Sequence, residues 1–407
     1  MVQATQAGEQ NDEQSGKRIG EQSGKPDYSA FEGTLPVNER QRFDTDALAS
    51  WLATHVEGFA GLLSVEQFAG GQSNSTFKLV TPSRAYVIRA KPGPAAKLLP
   101  SAHAVEREYR VMHALADTDV PVARMVALCE DGVIGRAFHV MEFVEGRVLW
   151  DQSLPGMSTQ ERAAIYDEMN RVIAAFHRVD VQAAGLADYG KPGNYFARQI
   201  GRWSKQYVTS ETEPIDAMHK LIDWLPQHMP AETDAKVSVV HGDYRLDNLI
   251  FYPTEPNVLA VLDWELSTLG DPLADFAYHC MAWHVDPAQF HGIAGFDWAA
   301  LGIPDEAHYV EQPERLLARR RSTPDGARNR WPNSPGIMRR KCARTTPYLF
   351  ASRSVSRATT KSAISPPRRA GTIQKSACAP CCTTDLIPFS TGRSAPSLAV
   401  VLTSNRS

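Results

Sequence analysis

At 407 residues, 43% apolar and 22% charged, the chain has the composition of an ordinary globular protein, with room for one large domain or two lobes. It has no run of eighteen apolar residues to cross a membrane and no apolar core in the polar start, Met1–Gly20, to act as a secretory signal; with too few cysteines, six, for a disulfide framework, cytoplasmic residence is the expectation. The net charge of −3 conceals an asymmetry: residues 311–407 hold 18 Lys and Arg against 4 Asp and Glu, or +14, leaving 25 basic and 42 acidic residues, or −17, in 1–310.

Residues 1–40 read as a disordered polar arm in which Glu-Gln-Ser-Gly-Lys occurs at 13–17 and again at 21–25. The second copy is not a phosphate-binding loop: its glycine spacing is wrong, and Pro26 stands where Ser or Thr is needed. A folded unit follows. Strand text covers Val65–Phe68, Thr76–Val80 and Ala85–Arg89, with a turn at Pro82-Ser83. Helix text at Ala104–Leu115 puts Val105, Tyr109, Met112 and Leu115 on one stripe, and a strand follows at Phe138–Val144. Ser158 and Glu161 form a capping box ahead of a long helix striped by Ile165, Met169, Val172, Ile173 and Phe176. More helix text spans Ile215–Leu225, then short strands return at Val237–Val240, Leu249–Phe251 and Val258–Leu262. Strands first, then helices around a hairpin, imply an α+β protein of two lobes, a small β-rich one at 41–145 and a larger helical one at 146–310.

Residues 311–407 differ in kind, with fifteen Arg, thirteen Ser, ten Pro, four of the six Cys and no sustained period. A shift of reading frame near Glu311 would produce so abrupt a change. A functional basic tail that binds nucleic acid is the disfavoured alternative. Cys378, Cys381 and Cys382 lack a second ligand pair at zinc-site spacing.

The stretch that carries chemistry is His241-Gly-Asp243-Tyr-Arg245-Leu-Asp-Asn248, delivered by an apolar strand and followed by a hairpin that ends at Asp263. A turn at Thr254–Asn257, centred midway between Asn248 and Asp263, would make these two cross-strand neighbours at the open end. An amide oxygen and a carboxylate at one point suit a hard cation such as magnesium. Asp243, just upstream, could orient a hydroxyl and accept its proton.

Phosphate would need clamping as well. Gly70, Gly71, Ser73 and Asn74, between two strands, offer close backbone approach and small polar donors. Val87, Arg89 and Lys91 share one strand face, so either Arg89 or Lys91 should enter the cleft. Glu108 lies on the apolar stripe of its helix and needs a partner, which Arg89 or Lys91 would supply. Glu106, off the stripe, reads as solvated. His241, Asp243 and Asp263 could also ligate a transition metal for hydrolysis, but no second cluster with hydrolase spacing accompanies them.

Assembled in this order and spacing, the motifs resemble the aminoglycoside phosphotransferase family of the protein-kinase-like fold, closest to the branch found as a kinase-like domain in some acyl-CoA dehydrogenase proteins. The resemblance covers about residues 45–310 and rests on Gly70–Thr76, Tyr86–Pro92, Ala102–Leu115, Val140–Gly146, His241–Asn248, Leu262–Glu265 and Gly270–Asp275. It implies an ATP- and Mg2+-dependent transfer of the γ-phosphoryl group to a small hydroxyl-bearing acceptor of aminoglycoside, amino-alcohol or hydroxyacyl type. It further implies Asp243 as catalytic base, Asn248 and Asp263 as Mg2+ ligands, and Glu142, Phe143 and Val144 as the hinge that meets adenine. Arg245 would reach the γ-phosphate, while Asp271 and Asp275 would brace the loop. Four departures stand out: the strand cation is open between Arg89 and Lys91, the glycine loop lacks the kinase pattern, Leu262-Asp263-Trp264 replaces Asp-Phe-Gly, and the text after Tyr309 lacks the family's further helices. These keep an inactive or truncated remnant as the alternative.

Overall fold

The computed structural model describes residues 32–69, 74–92, 104–191, 193–229, 237–288 and 291–311; the arm at 1–31, Gly70, Gly71, Ser73 and the tail from 312 onward lie outside the described residues. In chain order the elements begin with β1 (Thr34–Pro36), α1 (Thr45–His55), β2 (Ser64–Phe68), β3 (Ser75–Val80), β4 (Ala85–Ala90), α2 (Val105–Leu115), β5 (Met125–Cys129) and β6 (Phe138–Glu142). These form an antiparallel sheet of order β1-β2-β3-β4-β6-β5 with a helix on each face.

Strand alternation sorts the two faces. Phe77, Leu79, Tyr86 and Ile88 pack on Leu48, Trp51 and Leu52 of α1, while Val87 and Met141 face Val111, Met112 and Leu115 of α2. Arg89, in register opposite Thr76 and His139, is therefore on the α2 side.

The second lobe holds β7 (Arg147–Val148), α3 (Thr159–His177), α4 (Tyr195–Ser210), α5 (Asp216–Trp224), β8 (Ser238–Val240), β9 (Leu249–Phe251), β10 (Val258–Val261), β11 (Thr268–Gly270), α6 (Pro272–His279), α7 (Trp298–Leu301) and α8 (Glu306–Glu311). The expected capping box starts α3, and all five stripe residues are buried in one core with Leu246, Leu249, Phe251, Trp264 and Phe276. That core continues across the lobes to α2 and β6, so the small lobe is seated on the large one by apolar contact. The result is the expected bilobal kinase-like fold.

Several boundaries differ from expectation. Thr34–Pro36, assigned to the polar arm, pairs with the open edge of β2, a place where main-chain hydrogen bonds suffice and little apolar text is required. The strand expected over Phe138–Val144 stops at Glu142: β4 begins at Ala85, whose carbonyl takes the Phe143 amide, so beyond Phe143 the chain has no partner on β4. Tyr109 is only partly buried, its place in the stripe taken by Val111. The segments α1, α4, α6, α7, α8, β5, β7 and β11 lie outside the elements expected from the sequence.

Tyr309 anchors α8. It is fully buried, its hydroxyl lies 2.6 Å from His279 Nε2, and its carbonyl accepts from Asn170 at 2.7 Å. Tyr309→Ala should lower unfolding stability by about 3–5 kcal/mol in urea titrations, the usual range for emptying a buried aromatic site. Tyr309→Phe, which keeps the ring, should cost about 1 kcal/mol.

Candidate active site

Strand β8 ends in the loop that begins at His241. Gly242 takes the left-handed region at φ 87°, which turns the chain sharply and leaves the His241 and Gly242 amides directed at α6. Both donate to Asp275, at 2.8 and 2.9 Å, so one buried carboxylate holds the turn. Asp271 caps α6 by accepting from the Leu273 amide. Bracing by Asp275 thus matches expectation, with Asp271 acting through the helix.

His241 joins this loop to the hairpin. Its Nδ1 accepts from the Asp243 amide at 3.1 Å, which leaves Nε2 to donate to the Leu262 carbonyl at 2.8 Å. Burial holds its pKa below the ordinary range despite the nearby Asp275, so the imidazole is a neutral strut with both nitrogens engaged. Among the described residues, no group of three or more His, Cys, Asp or Glu could hold a metal ion.

The hairpin brings Asn248 and Asp263 close, one residue out of the expected register. A bulge between Val258 and Ala260 shifts the pairing, so the Leu262 amide bonds the Asn248 carbonyl at 2.8 Å and Asp263 follows on the next residue. Asp263 itself adopts φ 64°, ψ 52°, a left-handed conformation unfavourable for a residue with a side chain, and this ends the strand. The Asn248 amide nitrogen donates to the Asp243 carbonyl at 2.7 Å. That bond sets the orientation of the carboxamide, with Oδ1 as its acceptor end.

Arg89, rather than Lys91, is the partner of Glu108. Its Nε pairs with Glu108 Oε2 at 2.9 Å, and its Nη2 reaches Asp263 Oδ1 at 2.5 Å and Glu265 Oε2 at 3.1 Å. Lys91 pairs instead with Glu106, at 2.7 Å, so Glu106 is not the solvated residue expected. The offset is regular: partners two residues apart on β4 and its extension meet partners two residues apart on α2. Asn74 donates to Glu265 at 3.2 Å, which ties the foot of the glycine loop to the same cluster.

The charge in this cluster is unbalanced, one guanidinium against three carboxylates. Burial, with Asp263 and Glu265 adding to it, pushes Glu108 up to about 8 in spite of Arg89. Burial opposes charge on Arg89 too, but its three carboxylates outweigh that and hold the guanidinium above the ordinary arginine range.

Arg245, expected at a γ-phosphate, is buried and paired with Asp243 at 3.2 Å and Asp247 at 2.9 Å. Asp243 also accepts a 2.5 Å hydrogen bond from the Tyr278 hydroxyl. In the connection between lobes, the Glu142 amide bonds Arg124 and the Phe143 amide bonds Ala85, while the Phe143 ring lies near Phe68 with Lys78 Nζ 4.3 Å from its centroid. Two residues of the site, Glu265 and Tyr278, were missed. Glu265 closed the Leu262–Glu265 motif, and Tyr278 lies one helical turn beyond Asp275, on the face that meets the loop.

A family model described as "Phosphotransferase enzyme family" matches residues 64–304, more than half of the chain. The chain belongs to this family. Acyl-CoA dehydrogenase family member 10 of Mus musculus is 47% identical over 294 residues, covering 70% of this chain and 27% of that relative. The chain therefore spans about a quarter of that protein. A solved structure of a candidate aminoglycoside phosphotransferase from Ralstonia eutropha is 58% identical, covers 78% of this chain and 99% of its own, and superposes with a TM-score of 0.62. Choline kinase from Cryptosporidium parvum, 12% identical, covers 78% of this chain and 90% of its own with a TM-score of 0.56, a likeness of fold.

Because Glu108 is raised on folding, the folded state binds its proton more tightly than the unfolded chain does. Its contribution to stability is therefore lost as pH rises, by at most about 1.4 kcal/mol per pH unit. The unfolding free energy of the wild type minus that of Glu108→Gln should fall as pH is raised from about 5 to 8 and level off above, in chemical denaturation at each pH. A flat difference would contradict the charge imbalance.

Proposed function

We propose that this chain is a small-molecule kinase that moves the γ-phosphoryl group of ATP to a hydroxyl of its acceptor with Mg2+ as cofactor. The observation that supports it is that the hairpin sets Asn248 across from Leu262, the neighbour of Asp263, while the Asn248 amide bonds the Asp243 carbonyl and Asp263 pairs with Arg89. The donor set fits magnesium: oxygen donors from a carboxamide and a carboxylate, in a group with surplus negative charge.

In this reading Asp243 takes the proton of the acceptor hydroxyl. The acceptor oxygen then forms its bond to the γ-phosphorus, the bond from phosphorus to the β,γ-bridging oxygen breaks, and ADP leaves with that electron pair. Arg245 holds the Asp243 side chain from one side, which replaces the direct phosphate contact expected of it. Arg89, steadied by Glu108, is the cation for the α/β-phosphates, and Lys91 stands outside that role. Gly70, Gly71, Ser73 and Asn74 are proposed to supply backbone and small polar donors to the phosphates. Adenine lies against Phe143, with the backbone of Glu142 and Val144 as its polar edge. Magnesium, held by Asn248 and Asp263, would neutralise phosphate charge.

The acceptor is a small hydroxyl-bearing molecule of aminoglycoside, amino-alcohol or hydroxyacyl type, and neither a nucleic acid nor a membrane is required. Among the described residues, no helix is long and apolar enough to cross a membrane, and a cytoplasmic setting is proposed. A second reading, an inactive product that at most binds nucleotide, is favoured by the change of composition at 311.

ATP should raise the melting temperature of the protein only with Mg2+ present, in both the wild type and Asp243→Asn. Slow ATP hydrolysis by the wild type should fall about 10²- to 10⁴-fold in Asp243→Asn, the usual worth of a positioned base. Stabilisation without hydrolysis would select the inactive reading. An unchanged rate in Asp243→Asn, or no stabilisation by Mg-ATP, would overturn the kinase assignment.

A further inference from the structure

Helix α6 grips the loop of Asp243 at two points one turn apart. Asp275 holds its backbone through the His241 and Gly242 amides, and Tyr278, three residues on, reaches the Asp243 carboxylate. The two grips differ in kind. The first fixes where the chain runs; the second fixes where a side chain points.

Tyr278 is 4% exposed and packed with Tyr195, Val240, Ala274, Ala277, Met281 and Val285. Its ring is therefore set by apolar neighbours, and its hydroxyl meets Asp243 Oδ1 at 2.5 Å. A hydroxyl that donates to a carboxylate makes a short, charge-assisted bond, stronger than one between neutral groups. An aspartate side chain has a broad, two-fold terminal torsion, and a bond to one oxygen stops it turning. Arg245 Nε forms an ion pair with the same oxygen at 3.2 Å, so Oδ1 is approached from two elements. The loop backbone alone imposes no such restraint.

We propose that Tyr278 is a positioning residue for the reaction, holding the Asp243 carboxylate in the orientation that accepts the acceptor's proton. This rests on the kinase reading above. Tyr278 acts through Asp243 and touches neither nucleotide nor acceptor. Losing its hydroxyl therefore slows the chemical step and leaves nucleotide binding as it was.

The test uses the full chain with Mg-ATP and water as acceptor, and compares wild type, Asp243→Asn, Tyr278→Phe and Tyr195→Phe. Tyr278→Phe keeps the ring and its packing. It should lower kcat about 10- to 100-fold, the worth of a hydrogen bond to a charged group, with KM for ATP and Mg-ATP thermal stabilisation changed less than about twofold. Tyr195→Phe removes a hydroxyl from the same apolar cluster as a control for packing, and should leave kcat at the wild-type level. The proposal is overturned if Tyr278→Phe turns over like the wild type, if Tyr195→Phe falls equally, or if the loss comes with lost nucleotide stabilisation. If Asp243→Asn itself hydrolyses ATP at the wild-type rate, the kinase reading fails first and the positioning role goes with it.

Discussion

One guanidinium, that of Arg89, reaches Glu108 on α2 and both Asp263 and Glu265 beyond the hairpin of the second lobe. It extends from the sheet of the small lobe, so this four-membered cluster crosses the gap between lobes. Apolar packing seats one lobe on the other but is indifferent to direction; ion pairs at 2.5 to 3.1 Å fix which residues face each other. A buried pair is weak evidence for stability, since desolvation offsets much of the attraction. The cluster matters more as an arrangement of charge. Three acids on one cation leave a deficit, which a divalent cation would relieve in the proposed complex.

The loop below the cluster is built to hold still. His241 is kept neutral by burial and bridges the Asp243 amide to the Leu262 carbonyl, while Asp275 accepts two amides and Asn248 closes back on the Asp243 carbonyl. The buried polar groups of His241, Asp275 and Asn248 thus find partners within the same small region. Rigid support of this sort is what phosphoryl transfer asks of a protein, because positioning and electrostatics supply most of the catalysis. The left-handed Asp263 is strained, and it stands where the proposed metal ligand has to leave its strand.

Much of this was legible in the sequence, for reasons tied to particular residues. Glu108 sits at a position its helix must bury, so its need for a cation could be deduced from the stripe alone. Choosing between Arg89 and Lys91 could not, since alternation puts both on one face; the offset of α2 against β4 decides it, and that is tertiary. Glu106 looked solvated because only its own helix was considered, whereas Lys91 arrives from the strand. The hairpin was centred on the assumption of a regular ladder, and the bulge near Val258 moved Asn248 to face Leu262. β5, Met125–Cys129, has an apolar text with no alternation to reveal it, and β1 forms on a sheet edge. Tyr278 makes its contact across 35 residues, beyond what any local pattern reports.

The account stands on the Arg89 cluster and Asn248 forming a place for a divalent cation together with nucleotide. Electron paramagnetic resonance of Mn2+, used in place of Mg2+ and titrated into protein with ATP, counts bound cation directly. The account predicts one nucleotide-dependent Mn2+ site per chain in the wild type, lost or weakened by at least about tenfold in Asp263→Asn, as expected when a carboxylate ligand is removed. Identical titrations for the two proteins, or Mn2+ bound no better with protein than by ATP alone, would contradict it.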